Sequence, residues 1–503
     1  VSQSKLNRPC RIYAPVGTHE ILLPYLVRRL LENSANTSFV NLLRMDGITT
    51  EQLVADPVDA AKALWPLGVP HERIPLPRDL YRGDGQARLN AQGIDLTNEH
   101  RLGSLAAALA NSVNRQWKAA PMLGDGEGWD PDRAEPVINP ADHRDIVGHV
   151  VHAGLDEVAR ALEQAAGPGS VWQATPVEER AQCLRRASDM LEGDMQSLIG
   201  LIVREAGKPV ANAMEEVREA VDFLRYYADQ IEREFGNDTH RPLGVVACLS
   251  PWNFPLAIFM GQVAAALAAG NTVIAKPAEQ TPLIAAQAVS ILRAAGVPDA
   301  AVQLLPGDGE TVGQALAAAS VVGGVAFTGS TDAARHIART LSTRLSDHGG
   351  VIPFIAETGG QNAMVVDSSA LPEQVVLDVL ASAFDSAGQR CSALRALFVQ
   401  EDCADKILHM LEGAMRELAV GNPDRLSVDV GPVIDADAKA RIEAHIQAMR
   451  AAGCRVEQLP LPPEARHGTF VPPTLIELPS LDMLTHEVFG PVLHVLRYRR
   501  EEI

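Results

Sequence analysis

Near-continuous apolar runs separated by alanine-rich helical stretches constrain this chain more than any other feature. The runs at residues 244–249, 272–275, 302–305 and 324–327 do not alternate apolar with polar residues. A strand that is apolar on both faces must be covered on both, and a helical stretch follows each run. The pattern predicts a doubly wound parallel sheet, the layout of a nucleotide-binding domain. Helical periodicity at residues 155–165, 178–203 and 210–234 precedes it, with apolar residues three and four apart and charges between. A second unit of the same kind is expected from about Glu357, where an amphipathic run at 374–384 and an apolar run at 394–399 flank a glycine turn.

At 503 residues the chain is long for one domain and fits about three units. A formal net charge of -19 argues against nucleic acid as a partner, because phosphate binding needs clustered lysine and arginine. Six cysteines are scattered with no C-x-x-C pair, so neither a metal site nor a disulfide scaffold is indicated, and a reduced, cytoplasmic setting fits. No apolar run reaches the roughly 18 residues of a membrane span. The first residue is Val1 and the last, Ile503, falls in a strand-like region, so both ends read as cut.

Six short motifs carry the chemistry: P-W-N-F-P at 251–255, K-P-A-E at 276–279, F-T-G-S at 327–330, E-T-G-G at 357–360, G-Q-R-C at 388–391 and E-V-F-G-P at 487–491. Cys391 stands on the turn between helix and strand, where a thiolate can act as a nucleophile. Asn253 follows a strand directly and can donate a side-chain N–H to an oxyanion, with the Cys391 N–H as a second donor, each worth on the order of 3 kcal/mol. Glu357 in a Gly-Gly turn can serve as general base for a water, its carboxylate suited to this if partly buried. Gly329 and Ser330 open a helix whose free N–H groups favour a pyrophosphate. The G-D-G-E-T-V-G run at 307–313 has the wrong spacing for a dinucleotide fingerprint and reads as a turn before a helix.

These motifs, in this order, resemble the NAD(P)-dependent aldehyde dehydrogenase superfamily. The resemblance implies two doubly wound parallel-sheet domains, Cys391 as nucleophile, Asn253 as oxyanion donor and Glu357 as base. It places Trp252, Lys276, Glu279, Gly329, Ser330, Glu487 and Phe489 around the cofactor. Glu279 would accept from the adenosine ribose and repel a 2'-phosphate, which favours NAD. The runs E-T-G-G-Q-N and G-Q-R-C-S-A look like the branch that oxidises glutamate 5-semialdehyde, with Ser392 on the substrate carboxylate and Phe254 along its aliphatic part.

Upstream, R-I-Y-A-P-V-G at 11–17 and a helix expected at residues 20–33 resemble the tail of the proline dehydrogenase barrel in the bifunctional proline utilisation A family. There Tyr13, Arg28 and Arg29 would hold proline, the guanidiniums on its carboxylate. A β/α barrel needs roughly 200 residues or more, so FAD would belong to a missing barrel of the parent protein. The expected organisation is 1–80 barrel remnant, 81–135 connector with a helix at 99–119, 136–356 NAD-binding domain, 357–485 catalytic domain and 486–503 a return to the NAD-binding domain. The partner is a small molecule, and the full-length protein is expected to be a homo-oligomer. Two other functions fit the same residues: an inactive cofactor-binding fragment and a general aldehyde dehydrogenase.

Overall fold

The structure, a computed structural model, describes residues 88–346 and 349–502, with residues 17–18, 22–23, 25, 27, 47–64, 69 and 74–84 before them. Tyr13, Arg28 and Arg29 lie outside the described residues. The chain divides into two compact units, 1–76 and 77–503. In the first, helices Thr50–Leu53 and Pro57–Ala63 are each opened by a side chain that takes an orphan N–H, Thr49 from Gln52 and Asp56 from Val58.

The second unit holds three sheets. The largest runs β10 (Phe354–Thr358), β9 (Val322–Gly329), β6 (Val245–Leu249), β7 (Thr272–Lys276), β8 (Val302–Leu304), β2 (Met122–Leu123), β3 (Gly126–Glu127). Its first five strands are parallel, and the hairpin β2–β3 closes one edge antiparallel. Every residue of β6 and β7 is buried, as a strand between two helical layers requires. The chain passes from β6 through β7 to β8 on one side, then crosses back to place β9 on the other side of β6. That reversal leaves a crevice beyond the carboxyl end of β6, where open parallel sheets bind ligands.

The second sheet runs β11 (Ala363–Val366), β12 (Ala396–Gln400), β15 (Val492–Tyr498), β14 (Thr474–Glu477), β13 (Arg455–Gln458), parallel except for β13. It has its own core, including Phe384, Leu397, Val399, Leu475 and Leu493. A small sheet of β1 (Trp117–Ala119), β5 (Ile146–Val150) and β4 (Glu135–Ile138) completes the unit.

Four expectations change. Residues 486–503 do not return to the first sheet: β15 is the middle strand of the second, because Val492, Leu493 and Val495 bury themselves in its core. Glu357 lies on β10, the edge strand of the first sheet, so that domain extends past it. The periodic run 178–203 is two helices, Val177–Gly193 and Met195–Ala206, parted at Asp194. The stretch 81–135 is more than a connector, since its helix stops at Asn114 and β1, β2 and β3 join two sheets. No helix among the described residues is long and apolar enough to cross a membrane.

Candidate active site

The crevice at the carboxyl ends of β6 and β7 is a cleft of about 620 Å³, lined by Ser250, Lys276, Glu279, Asp308, Phe327 and His336 among others. Lys276 is buried at the last position of β7, and burial pulls its pKa down against the opposing pull of Glu279, 3.6 Å away. Glu279 accepts the Gly309 N–H at 2.9 Å and keeps much of its carboxylate exposed. The Ser250 hydroxyl is buried with no partner among the described residues. An unmet hydroxyl, a lysine and an exposed carboxylate around one cleft fit the diols and phosphates of a dinucleotide. The 307–313 run, read only as a turn, contributes Asp308, Gly309, Glu310 and Gly313 to this wall. Gly329 and Ser330 are not in the lining; Ser330 caps helix Thr331–Ser342 by accepting from Ala333.

The loop that carries Cys391 follows helix Pro372–Phe384. Ser386, Ala387 and Gly388 take φ of 54, 54 and 65 degrees in succession, a left-handed turn that costs non-glycine residues roughly 1 to 3 kcal/mol each. Gly388 also meets the second sheet closely, since a Cβ there would stand 2.2 Å from the Gly490 carbonyl oxygen. Four buried or half-buried side chains hold the loop against this strain. Gln389 donates to the Ser386 and Pro432 carbonyls and accepts the Ile434 N–H. Arg395 donates to the carbonyls of Gly388 (2.7 Å), Arg390 (2.9 Å) and Gly490 (3.3 Å). Asn362 donates to the carbonyls of Cys391 (2.7 Å) and Ala393 (3.0 Å). Asn253 donates to the Gln389 carbonyl at 3.1 Å, which leaves its second N–H free for an oxyanion. Cys391 and Ser392 themselves are exposed.

Beneath Asn253 lies a buried ion pair. Lys208 and Glu216 are bonded to each other; Lys208 also donates to the Asn253 carbonyl at 2.7 Å, and its ammonium lies 4.2 Å from the centre of the Phe254 ring. Glu216 accepts the Ala257 N–H at 2.9 Å, at the start of the helix that follows P-W-N-F-P. Arg390 is held by Glu215 (3.2 Å) and Asp385 (3.0 Å).

The third motif joins the same cluster. Glu487 pairs with Arg395 at 3.1 Å and presses on Gly359, where a Cβ would stand 1.7 Å from its Oε2. Phe489 packs edge to face on Trp252 at 5.6 Å, with Arg395 5.1 Å from its centre. E-T-G-G-Q-N, G-Q-R-C and E-V-F-G-P therefore meet around one buried guanidinium. Glu357 stands two residues before Gly359, with its side chain exposed on β10, so the partial burial that would suit it as a base is not met. Lys208, Glu216, Asn362, Gln389 and Arg395 were not singled out from sequence. Of these, Lys208 and Glu216 at i, i+8 carry no periodic signal, whereas Asn362, Gln389 and Arg395 sit inside or beside motifs already recognised. The remaining described cysteines serve packing: burial pushes the Cys248 thiol up to about 12 and raises that of Cys183.

Two parallel sheets with an exposed cysteine and a tethered asparagine at their junction define a class. Residues 129–503 match the aldehyde dehydrogenase family, and residues 1–42 match proline dehydrogenase. The chain belongs to the aldehyde dehydrogenase family.

Among particular relatives, the bifunctional protein PutA of Klebsiella aerogenes is 60% identical across 100% of this chain and 39% of its own length. The chain thus spans less than half the length of the PutA relatives it matches. The 1-pyrroline-5-carboxylate dehydrogenase of Geobacillus kaustophilus (strain HTA426) is 33% identical over 80% of this chain and 81% of its own. Among solved structures, a bifunctional proline utilization A protein superposes with a TM-score of 0.82 at 44% identity, covering 97% of this chain and 47% of that one. A Thermus 1-pyrroline-5-carboxylate dehydrogenase with bound NAD gives 0.75 at 29% identity, over 81% and 82%.

Proposed function

We propose that this chain oxidises L-glutamate 5-semialdehyde, formed by hydrolysis of pyrroline-5-carboxylate, to L-glutamate with NAD, the second step of proline degradation. One observation carries the reading: Asn253, in the loop after β6 of the first sheet, and Asn362, just before β11 of the second, both bond the backbone of the Cys391 loop. The names of the relatives support the substrate. The parent protein is then bifunctional, with an FAD-dependent proline dehydrogenase supplying the substrate.

The Cys391 thiolate adds to the aldehyde carbon, and negative charge develops on the aldehyde oxygen. The free Asn253 N–H and the Cys391 N–H meet that charge. NAD would be held at the cleft by Lys276 and Glu279, with Trp252, Glu487 and Phe489 and, outside the cleft lining, Gly329 and Ser330 proposed around it, and would accept the hydride from the carbon bonded to Cys391. A thioester on Cys391 is left; Glu357 takes a proton from water, the resulting hydroxide adds to the acyl carbon, and the thiolate leaves. Ser392 donates to the substrate carboxylate and Phe254 covers the methylenes. Six scattered cysteines, with those among the described residues free, support a cytoplasmic setting. A homo-oligomer is the assembly proposed for the full-length protein.

The test is NADH formation from pyrroline-5-carboxylate by this chain, beside Cys391→Ala. NADH from the first and none from the second is expected. NAD binding without turnover in the unaltered chain would instead mark a cofactor-binding fragment, and equal rates with propanal a general aldehyde dehydrogenase.

A further inference from the structure

We infer that the loop between helix Val210–Glu234 and β6 closes a second ligand site, built on Arg180, His240 and Arg241, which takes a small anion of the phosphate class. The site shares no residue with the proposed thioester chemistry.

Four arginines are buried among the described residues, and three of them meet a carboxylate: Arg204 with Asp145 at 2.6 Å, Arg225 with Glu192 at 2.9 Å and Arg395 with Glu487 at 3.1 Å. Arg180, 2% exposed, has no carboxylate within ion-pair reach among the described residues. Its partners are neutral: the Ala268 carbonyl at 3.0 Å, the Thr175 carbonyl at 2.5 Å and Asn237 Oδ1 at 3.3 Å. The two carbonyls end helices Ala257–Ala268 and Val171–Ala174, so helix dipoles answer part of the charge. The rest is unanswered. Burial pulls the Arg180 pKa down, and the charge that pulls it up, Glu178, is exposed and beyond ion-pair distance. Buried charges are ordinarily paired, and one Nη2 hydrogen of Arg180 is still without an acceptor.

Beside Arg180 lies a cavity of about 350 Å³, at the small end of ligand pockets, whose wall includes Phe235, His240, Arg241 and Pro242 and no carboxylate. Arg241 makes no ion pair or side-chain hydrogen bond among the described residues, in a chain whose net charge is -19. His240 stacks on Phe235 at 4.0 Å between ring centres and turns Nδ1 to the Thr239 hydroxyl at 2.9 Å, which leaves Nε2 open. Asp238 and Glu178, the acidic residues nearest in sequence to the loop and to Arg180, are exposed and outside the wall. Gly270, at φ 85 degrees, brings the pieces together: a Cβ there would stand 3.1 Å from Pro242 and 3.4 Å from the Arg180 Cζ.

Two guanidiniums and an imidazole around one small cavity match a tetrahedral oxyanion with more than one charge, since its several oxygens can take N–H groups from different directions. A carboxylate brings one charge and two oxygens and leaves part of that set unmet. The dinucleotide cleft lies at the carboxyl ends of β6 and β7, whereas residues 236–242 and Ala269 precede those strands, so the two sites stand at opposite ends of the sheet.

Isothermal titration calorimetry of the whole chain with inorganic phosphate, at constant ionic strength and with NAD present to occupy the dinucleotide cleft, tests this. Saturable binding with a Kd of about 1 mM or lower is expected, the order that two charge-assisted contacts give. Because Arg180 also ties two helix ends, the loop carries the mutational arm: Arg241→Ala with His240→Gln is expected to weaken phosphate binding by about tenfold or more, with circular dichroism unchanged. Glycerol 3-phosphate separates the sources, since tighter binding than inorganic phosphate assigns the site to a phosphate ester and equal or weaker binding to the free ion. No saturable phosphate binding in the unaltered chain overturns the site. Equal affinity in the double variant places the phosphate elsewhere and overturns it too, and acetate bound as tightly as phosphate overturns the ligand class.

Discussion

Asn253 Nδ2 reaches the Gln389 carbonyl at 3.1 Å across 136 residues of sequence, and so ties the end of β6 to the loop that presents Cys391. One side chain sets both the position of the loop and the place of the proposed oxyanion donor. Asn253→Ala is expected to lower kcat by about 10² to 10³ with little change in NAD affinity, since one donor in such a site is worth that much. Steady-state kinetics with pyrroline-5-carboxylate checks this, and a loss confined to KM would count against the donor role.

The Lys208–Glu216 pair is buried on both sides, with 4% and 1% exposure. Lys208→Met strands a carboxylate in the core and is expected to cost about 3 to 5 kcal/mol in denaturant unfolding. Lys208→Met with Glu216→Gln should recover part of that loss, because no charge is then left alone.

Glu279 keeps its carboxylate at the cleft while bonding Gly309. If it excludes a 2'-phosphate by charge, Glu279→Gln should raise NADP use relative to NAD by about tenfold or more, the worth of roughly 1.4 kcal/mol. The ratio of kcat/KM for the two cofactors reads the effect directly.

Gly388 is expected to tolerate no side chain. Gly388→Ala would need a Cβ at φ 65 degrees and 2.2 Å from the Gly490 oxygen, both of which force the loop to move. Circular dichroism and NAD binding should survive in the variant, whereas NADH formation should fall at least as far as in Asn253→Ala.

A buried histidine pair sets an acid limit. His494 is bonded to His445 at 2.9 Å and to the Arg395 carbonyl at 3.0 Å, and burial pulls it down to about 4. Because the unfolded chain takes up its proton near 6.5 and the native one only near 4, this contribution to stability is complete above pH 6.5. It is lost as the pH falls from 6.5 toward 4, by on the order of 3 kcal/mol. Urea midpoints across that window should fall in the unaltered chain and flatten in His494→Gln.

The amino-acid sequence by itself determined the parallel sheets, because strands apolar on both faces have no other stable environment, and β6, β7 and the helix Val210–Glu234 lie where periodicity put them. It also singled out Cys391 and Asn253 as candidates, since short motifs at turns leave local marks, and the fold brings the two segments together. Only the tertiary structure decided that β15 completes the second sheet, because pairing across a hundred residues leaves no local pattern. Lys208, Glu216 and Arg395 belong to the same class of fact: a charge is stable in a core only beside its partner, and the partner is chosen by the fold.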